Sequence, residues 1–170
     1  DCVVDEWFDF SPNPKFEEIE KGVKHIRISR PDLVVALGGG SVIDMAKMIN
    51  LLGAQDKEPV RYIWKEHAIV RQGKPLVAIP TTAGTGSEVT RFAAFYIDKT
   101  KHSLDHEFIL PQYAIVDPEL TFSLPPPVAA STGMDALSQA IESYWNIYST
   151  DVSKAYAREA IQLAVRNLKS

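Results

Sequence analysis

Long apolar runs that end in polar, glycine-rich loops occur twice in the first half of the chain. The segment "DLVVALGGGS" is a continuous apolar run of strand length that ends at three glycines starting with Gly38. The segment "KPLVAIPTTAGTGSE" repeats this arrangement from Lys74 onward. Runs of this kind are typical of strands buried on both faces of a parallel sheet.

Helical spacing precedes and follows the first run. After Pro14, which suits a first helical turn, apolar residues recur every three or four positions and predict an amphipathic helix. A second helix is predicted with Ser41 as its cap and Gly53 at its end. The apolar positions are Phe16, Ile19, Val23 and Ile26 in the first helix, and Val42, Met45, Ala46, Ile49 and Leu52 in the second.

The remaining pattern predicts two parts of different class. Further strands are expected at residues 2–8, in "VRYIW", at 89–97 and in "YAIVDPEL", with "DKTK" as a turn. From Pro125 onward the strand pattern stops, and two helices follow, the second beginning at Thr150. We therefore predict an α/β domain at residues 1–124 with a doubly wound, mostly parallel sheet, and the beginning of an all-helical domain at residues 125–170.

The amino-acid composition indicates a folded protein and argues against two classes of partner. The 170 residues carry 45% hydrophobic residues, enough for a real core. The net charge is −4 and no dense Lys/Arg cluster occurs, so neither nucleic acid nor an anionic membrane surface is an expected partner. The one cysteine, Cys2, cannot form an internal disulfide, so a reducing, cytoplasmic setting is the default expectation.

The glycine turn after the first buried strand is a candidate anion site. A helix that begins there offers unpaired N–H groups and a favourable dipole to a phosphate, and glycines let the backbone approach it closely. The segment is not a GxGxxG motif, however. An ordinary tight turn between strand and helix is about as plausible for this segment alone.

The second loop strengthens the case for a phosphate-bearing ligand. Within seven residues it places four hydroxyls, each a donor and an acceptor, beside two glycines. The alternative is a polar loop that bonds only its own backbone. Because parallel strands end at one edge of a sheet, two such loops are expected to converge on one ligand. The hydroxyls belong to Thr81, Thr82, Thr85 and Ser87.

Asp135 and Gln139 lie four residues apart near the start of the next predicted helix. That spacing places both side chains on one helical face. Their oxygens are hard ligands that a divalent cation would accept. By spacing alone, however, a surface hydrogen bond between an Asp and a Gln is the more probable role.

Four segments together resemble the iron-containing (group III) alcohol dehydrogenases: "GGGSVIDMAK", "PTTAGTGSEVT", "YAIVDPEL" and "GMDALSQAIESY". The resemblance covers nearly the whole chain and implies a Rossmann-like dinucleotide-binding domain followed by an all-helical domain. It implies that Gly39, Gly40 and Ser41 hold the pyrophosphate of NAD or NADP. It also implies that Asn13, Thr81, Thr82, Thr85 and Lys101 line the rest of the cofactor site.

The same resemblance implies a divalent metal, iron or zinc, held by one Asp and three His. Asp135 matches the Asp, but Gln139 stands where the first His is expected. The other two ligands are expected beyond Ser170. The chain's own histidines all precede Asp135, and we interpret them as surface residues or residues one layer away from the site; they are His25, His67, His102 and His106.

The resemblance further implies that the 170 residues are part of a longer protein, lacking the family's first strand and most of its helical domain. The predicted function is NAD(P)-dependent interconversion of a small alcohol and its aldehyde. The glutamine also resembles the branch that reduces phosphonoacetaldehyde. A homodimer is one assembly that the chain allows. The alternatives are a metal-free relative that binds another phosphorylated ligand, and a non-catalytic nucleotide-binding module.

Overall fold

The computed structural model describes residues 3–168, and these form two compact units. The first unit extends up to Pro80 and resumes over Ser87–Val116. The second consists of Thr81–Gly86 together with the chain from Asp117 onward. The domain boundary predicted at residues 124–127 remains a prediction.

The first unit is built on a parallel sheet with the order β1-β2-β5 and a separate antiparallel hairpin of β3 and β4. The strands are β1 (Val34–Gly38), β2 (Leu76–Pro80), β3 (Phe92–Ile97), β4 (Thr100–Asp105) and β5 (Tyr113–Ala114). The helices are α1 (Phe16–Ser29), α2 (Gly40–Gly53) and α3 (Pro59–Ile63). The expected α/β class with a parallel sheet is confirmed.

The two long buried segments pair in parallel as β1 and β2, with Ala36 opposite Ala78 and Leu37 opposite Ile79. One face of this pair packs on α2, where Ala36, Ala78 and Ile43 form a buried cluster. The other face is open: Val35 and Leu37 are 54% and 57% exposed. Burial of β1 on both faces was therefore a wrong expectation, because a run of apolar residues reports hydrophobicity and not what covers it.

The main core of this unit lies between α1, α2 and the hairpin. Ile19, Val23, Met48, Leu52 and Phe95 are almost completely buried there. The predicted apolar spacing of α1 is thus confirmed. Arg27 of α1 donates hydrogen bonds to the carbonyl oxygens of Leu52, Gly53 and Gln55, which satisfies the acceptors left free at the end of α2.

The start of α2 differs from the prediction. Gly39, not Ser41, is the N-cap residue, and no side chain caps the helix. Ser41 lies inside the first turn and accepts a hydrogen bond from the Asn13 N–H at 3.1 Å. The predicted end of α2 at Gly53 is confirmed.

Three other expectations are wrong. Residues 3–8 form no strand, and Trp7 instead stacks on Phe10 at 5.2 Å and packs on the core; residues 1 and 2 of that predicted strand lie outside the described residues. The "VRYIW" segment is helical because Pro59 begins α3 there. In "YAIVDPEL" only Tyr113 and Ala114 pair as a strand, and a 3-10 helix follows at Pro118–Thr121.

The second unit contains two packed helices, α4 (Pro126–Trp145) and α5 (Asp151–Asn167). Thr150 caps α5, as predicted, by accepting a hydrogen bond from the Ser153 N–H at 3.1 Å. Gly133 of α4 allows Leu168 to approach closely, since a Cβ on Gly133 would lie 2.3 Å from Leu168 Cδ1. Among the helices of residues 3–168, none has the length and apolar character needed to span a membrane.

Candidate functional site

The glycine turn and the "SPNP" segment meet at the start of α2. Asn13 has a left-handed backbone conformation, φ 62°, which Asn adopts more readily than most residues. Its N–H donates to Ser41 Oγ, so the Ser41 hydroxyl keeps its own proton for donation elsewhere. The first N–H groups of α2, from Gly40 and Ser41, have no acceptor within the helix. The Ser41 hydroxyl and the first N–H groups of α2 therefore present several donors at one place.

No acidic side chain neutralises this helix start. The first turn of α2 contains no Asp or Glu, whereas α1 has Glu17 and Glu18 and α5 has Asp151 in theirs. Acidic residues in a first turn normally compensate the positive end of the helix dipole. At α2 that position is available to an anion from outside the chain.

Lys101 lies on β4 and is exposed. It pairs with Tyr96 of β3, and the Tyr96 N–H donates to the Pro14 carbonyl at 2.7 Å. Lys101 is thus on the strand next to β3, and β3 is hydrogen-bonded to Pro14, the residue that follows Asn13. Across residues 3–168, no hydrogen bond joins Lys101 to Asn13 or Ser41.

The threonine-rich loop belongs to the second unit and lies against α4. The side chains of Thr81, Thr82 and Thr85 are all partly exposed. A Cβ on Gly84 would lie 2.4 Å from the Thr132 carbonyl oxygen, so only glycine fits this approach of loop to helix. The loop backbone is therefore held close to the face of α4 on which Gln139 lies, because Gln139 Nε2 donates to the Gly84 carbonyl at 3.4 Å.

Asp135 and Gln139 form a direct contact. Gln139 Nε2 donates to Asp135 Oδ2 at 2.9 Å, which is the surface hydrogen bond that the spacing favours. Rotation of the amide by 180° would present the amide oxygen in its place. Both side chains point to one location beside Gly84, where they could supply two oxygen ligands to a divalent cation.

The donor set for a metal is only partly present. Within residues 3–168 there is no group of three or more His, Cys, Asp or Glu side chains that could hold a metal ion. The chemistry of Asp135 and Gln139 fits two positions of an oxygen-rich site, and it does not complete one. Their role as metal ligands therefore remains a prediction.

Each histidine is engaged in the first unit. His25 contacts the Asp5 carboxylate at 2.8 Å. His102 stacks on Phe95, and His106 Nδ1 accepts from the Phe108 N–H. His67 lies 6.0 Å from the Tyr62 ring. The place of all four histidines outside the metal site remains a prediction.

The sequence reasoning missed a buried polar cluster on α2. Lys47 is fully buried, and its Nζ donates to Ser87 Oγ, Thr90 Oγ1 and the Phe92 carbonyl oxygen. Burial lowers the pKa of Lys47 from 10.5 to about 8, and the nearby carboxylates of Asp44 and Glu88 oppose this change. The only available signal was a lysine within the largely apolar α2 segment.

A surface cavity of about 580 Å³ lies elsewhere in the first unit, with Arg27, Asn50, Arg71 and Lys74 among the residues that line it. None of the predicted site residues lines this cavity. It adjoins the end of α2 and the beginning of β2, opposite to the glycine turn. We therefore do not assign it to the cofactor.

Comparison with known proteins follows the division of the chain. Residues 1–118 match the family model described as iron-containing alcohol dehydrogenase, and residues 129–170 match that of the C-terminal part of the same family. Long-chain-alcohol dehydrogenase 1 of Geobacillus thermodenitrificans is 40% identical over 163 residues, which are 95% of this chain and 41% of that protein. The chain thus spans between about one fifth and two fifths of the length of the curated relatives it matches.

Solved structures give the same result. The sulfoacetaldehyde reductase of Bifidobacterium kashiwanohense, solved in complex with NAD+, is 40% identical with a TM-score of 0.89 over 94% of this chain and 43% of that one. An iron-containing alcohol dehydrogenase of Thermotoga maritima is 38% identical with a TM-score of 0.87 over 96% of this chain and 45% of that one. The chain belongs to the iron-containing alcohol dehydrogenase family.

Proposed function

We propose that this chain supplies the cofactor-binding part and the first metal-binding positions of an NAD(P)-dependent enzyme that interconverts a small alcohol and its aldehyde. The observation that carries the proposal is the family match over residues 1–118 and 129–170, joined to a helix start whose N–H groups lack an acidic neighbour. Hydride transfer would be the chemistry of the nicotinamide, and the protein would position it.

The cofactor would bind at the glycine turn and the threonine-rich loop. The N–H groups of Gly40 and Ser41 and the Ser41 hydroxyl would donate to the pyrophosphate. The hydroxyls of Thr81, Thr82 and Thr85 would provide further donors and acceptors, and Lys101 a positive charge. The proposed cofactor residues are Asn13, Gly39, Gly40, Ser41, Thr81, Thr82, Thr85 and Lys101.

Asp135 and Gln139 would hold a divalent metal, iron or zinc, together with ligands from outside these 170 residues. Such a metal would act as a Lewis acid on the carbonyl oxygen of the aldehyde. The carboxylate of Asp135 is the charged member of the pair, and Gln139 is a neutral and weaker ligand than the imidazole it replaces. Glutamine in place of the expected histidine favours the alternative that this protein is a family member that has lost its metal.

The substrate proposed within this reaction is a two-carbon aldehyde with an anionic group. One similar protein is a sulfoacetaldehyde reductase, whose substrate by name is such an aldehyde. Phosphonoacetaldehyde, suggested by the glutamine, has the same carbon chain and a phosphonate in place of the sulfonate. Relatives named for neutral alcohols, such as the 1-propanol dehydrogenase of Citrobacter freundii, support the wider alcohol class.

The cofactor site is tested by titrating NADH and NADPH into the longer protein that contains this chain. Gly40→Val should weaken binding by at least about tenfold, because the side chain would stand at the helix start that meets the phosphates. Ala54→Val, at the opposite end of α2, is the matched control and should bind normally. Unchanged affinity in Gly40→Val would make the glycine turn purely structural.

The reaction is tested by supplying iron or zinc and following NAD(P)H oxidation with sulfoacetaldehyde, phosphonoacetaldehyde and propanal. We expect turnover of at least one aldehyde and a preference for the anionic ones. No turnover of any aldehyde or alcohol with either cofactor would refute the enzymatic function. A preference for propanal would retain the enzyme and reject the anionic substrate.

A further inference from the structure

Lys47 is the most completely buried charged side chain described in the first unit, with no exposed surface. Its ammonium group has three protons and three close acceptors: Ser87 Oγ at 3.0 Å, Thr90 Oγ1 at 3.2 Å and the Phe92 carbonyl oxygen at 2.7 Å. A buried ammonium is costly unless it is fully hydrogen-bonded. The three acceptors satisfy this requirement.

Asp44, one turn earlier on α2, also binds the segment of residues 87–94 that contacts Lys47. Its Oδ1 accepts from Ser87 Oγ at 2.5 Å, and its Oδ2 accepts from the Ala94 N–H at 2.9 Å. Lys47 Nζ and Asp44 Oδ1 are 3.9 Å apart. Two side chains of one helix therefore fix residues 87–94 at several positions.

Packing alone does not require this arrangement. Replacing buried ionic groups by apolar side chains of similar volume is often neutral for stability. Lys47 is a fully buried residue of a largely apolar helix, and a methionine has a side chain of similar length. A methionine could not, however, hold Ser87 and Thr90 in place.

Ser87 is the residue at which the chain leaves the threonine-rich loop, and α2 begins at the glycine turn. We propose that Lys47, together with Asp44, is a positioning residue for cofactor binding, because it fixes Ser87 relative to the glycine turn on the same helix. This inference rests on the proposed function. Lys47 would not touch the cofactor; it would fix Ser87 relative to the glycine turn within the first unit.

The charge on Lys47 predicts a pH dependence of NADH binding that a side chain with only a packing role would not cause. Its ammonium faces Asp44 on α2, Glu88 on a short 3-10 helix at Ser87–Val89, and the Phe92 carbonyl oxygen on β3. With a pKa of about 8, Lys47 loses a proton, and with it one donor, in mildly alkaline solution. NADH affinity should therefore decline as pH rises through about 8, and this decline should vanish in Lys47→Arg, which keeps its charge.

The test measures NADH dissociation constants in the longer protein for wild type, Lys47→Met and the surface control Lys24→Met. We expect Lys47→Met to bind NADH about tenfold more weakly, through loss of charged hydrogen bonds, while KM for the aldehyde at saturating NADH stays within about twofold. Lys24→Met should match wild type. Wild-type NADH affinity in a folded Lys47→Met protein would overturn the proposal.

Ser87→Ala provides a second route if Lys47→Met fails to fold. It removes only the hydroxyl that Lys47 and Asp44 share, and we expect NADH binding to weaken about three- to tenfold. Unchanged binding in Ser87→Ala would also overturn the proposal. The proposed function fails separately: it is refuted if wild type itself binds neither NADH nor NADPH.

Discussion

Gln139 is the position at which this chain departs from the one-Asp, three-His metal site that its family resemblance implies. Its amide bonds Asp135 and the Gly84 carbonyl, so it already connects α4 to the threonine-rich loop. An imidazole at this position would lose part of that contact and gain a better metal ligand. Substitution of Gln139 can therefore distinguish a structural role of this side chain from a metal-binding role.

We therefore expect Gln139→His in the longer protein to retain more iron or zinc after dialysis than wild type, measured by elemental analysis. Imidazole is preferred by these metals over a neutral amide oxygen. Gln72→His, at an exposed position of the first unit, is the control and should leave metal content unchanged. Equal metal content in Gln139→His and wild type would argue against a metal at this position.

Asp135 gives the complementary experiment. Asp135→Ala removes the only carboxylate of the pair, so we expect bound metal to fall by at least about tenfold. Asp32→Ala, on an exposed turn, is the matched control. Equal metal in Asp135→Ala and wild type would remove Asp135 from the metal site and favour a metal-free relative.

Lys47 also makes stability depend on pH in a defined direction. Because its pKa is about 8 in the folded protein and near 10.5 when unfolded, the unfolded chain binds more protons between these values. The free energy of unfolding of wild type, relative to Lys47→Met, should therefore rise from pH 8 to 10.5 and be constant below pH 8. Denaturant unfolding across this range checks it, and a flat difference would mean that Lys47 titrates normally.

Neither the burial of Lys47 nor the hydrogen bonding of Gln139 could be derived from the sequence alone. A lysine on an amphipathic helix normally lies on the outer face, and the acceptors of Lys47 lie 40 to 45 residues later in the chain. Gln139 could be located by its spacing from Asp135, yet spacing cannot distinguish a hydrogen bond from a metal site.

The two glycines of the threonine-rich loop are required for different reasons. Gly84 is limited by space, since a Cβ would meet a backbone carbonyl of α4 that cannot move aside. Gly86 has a left-handed conformation, φ 62°, with open space around it. Substitutions can therefore separate steric from conformational constraints within one loop.

We expect Gly84→Ala and Gly84→Asn both to destabilise the protein by about 1–3 kcal/mol through overpacking. At Gly86 alanine should cost about 1 kcal/mol, while asparagine should cost less because it tolerates the left-handed region. Thermal denaturation of the four variants of the longer protein provides the comparison. If Asn is no better than Ala at Gly86, the backbone conformation is not the constraint there.

Elements with a strong period were predictable, and short ones were not. The apolar spacing of α1 and the apolar runs of β1 and β2 predicted the positions of these elements, because each contributes apolar residues to a buried cluster. The strand predicted at 89–97 is present as β3, but β4 was missed because "TKHSLD" carries few apolar residues and is a strand only through its pairing with β3. In "VRYIW" the apolar residues are compatible with either a strand or a helix, and Pro59 was the signal for a helix.

The fold class and the family of the molecule followed from the order of its motifs, but the complete metal site did not. A parallel sheet joined to helices is determined by alternation along the chain, which is visible in any sufficiently long part of it. A metal site is a set of side chains that folding brings together from distant positions. Asp135 and Gln139 remain two predicted members of such a set, because their spacing places them on one helical face but cannot show which distant side chains would join them.

The open face of β1 has a consequence for the behaviour of these 170 residues in solution. Val35 and Leu37 project from a strand that pairs, within residues 3–168, only with β2, so an apolar surface lies next to an edge with free backbone donors and acceptors. Such edges recruit further strands and promote aggregation. A polypeptide of residues 1–170 alone should therefore form concentration-dependent assemblies by light scattering. Leu37→Lys should reduce them, and the exposed control Val70→Lys should not.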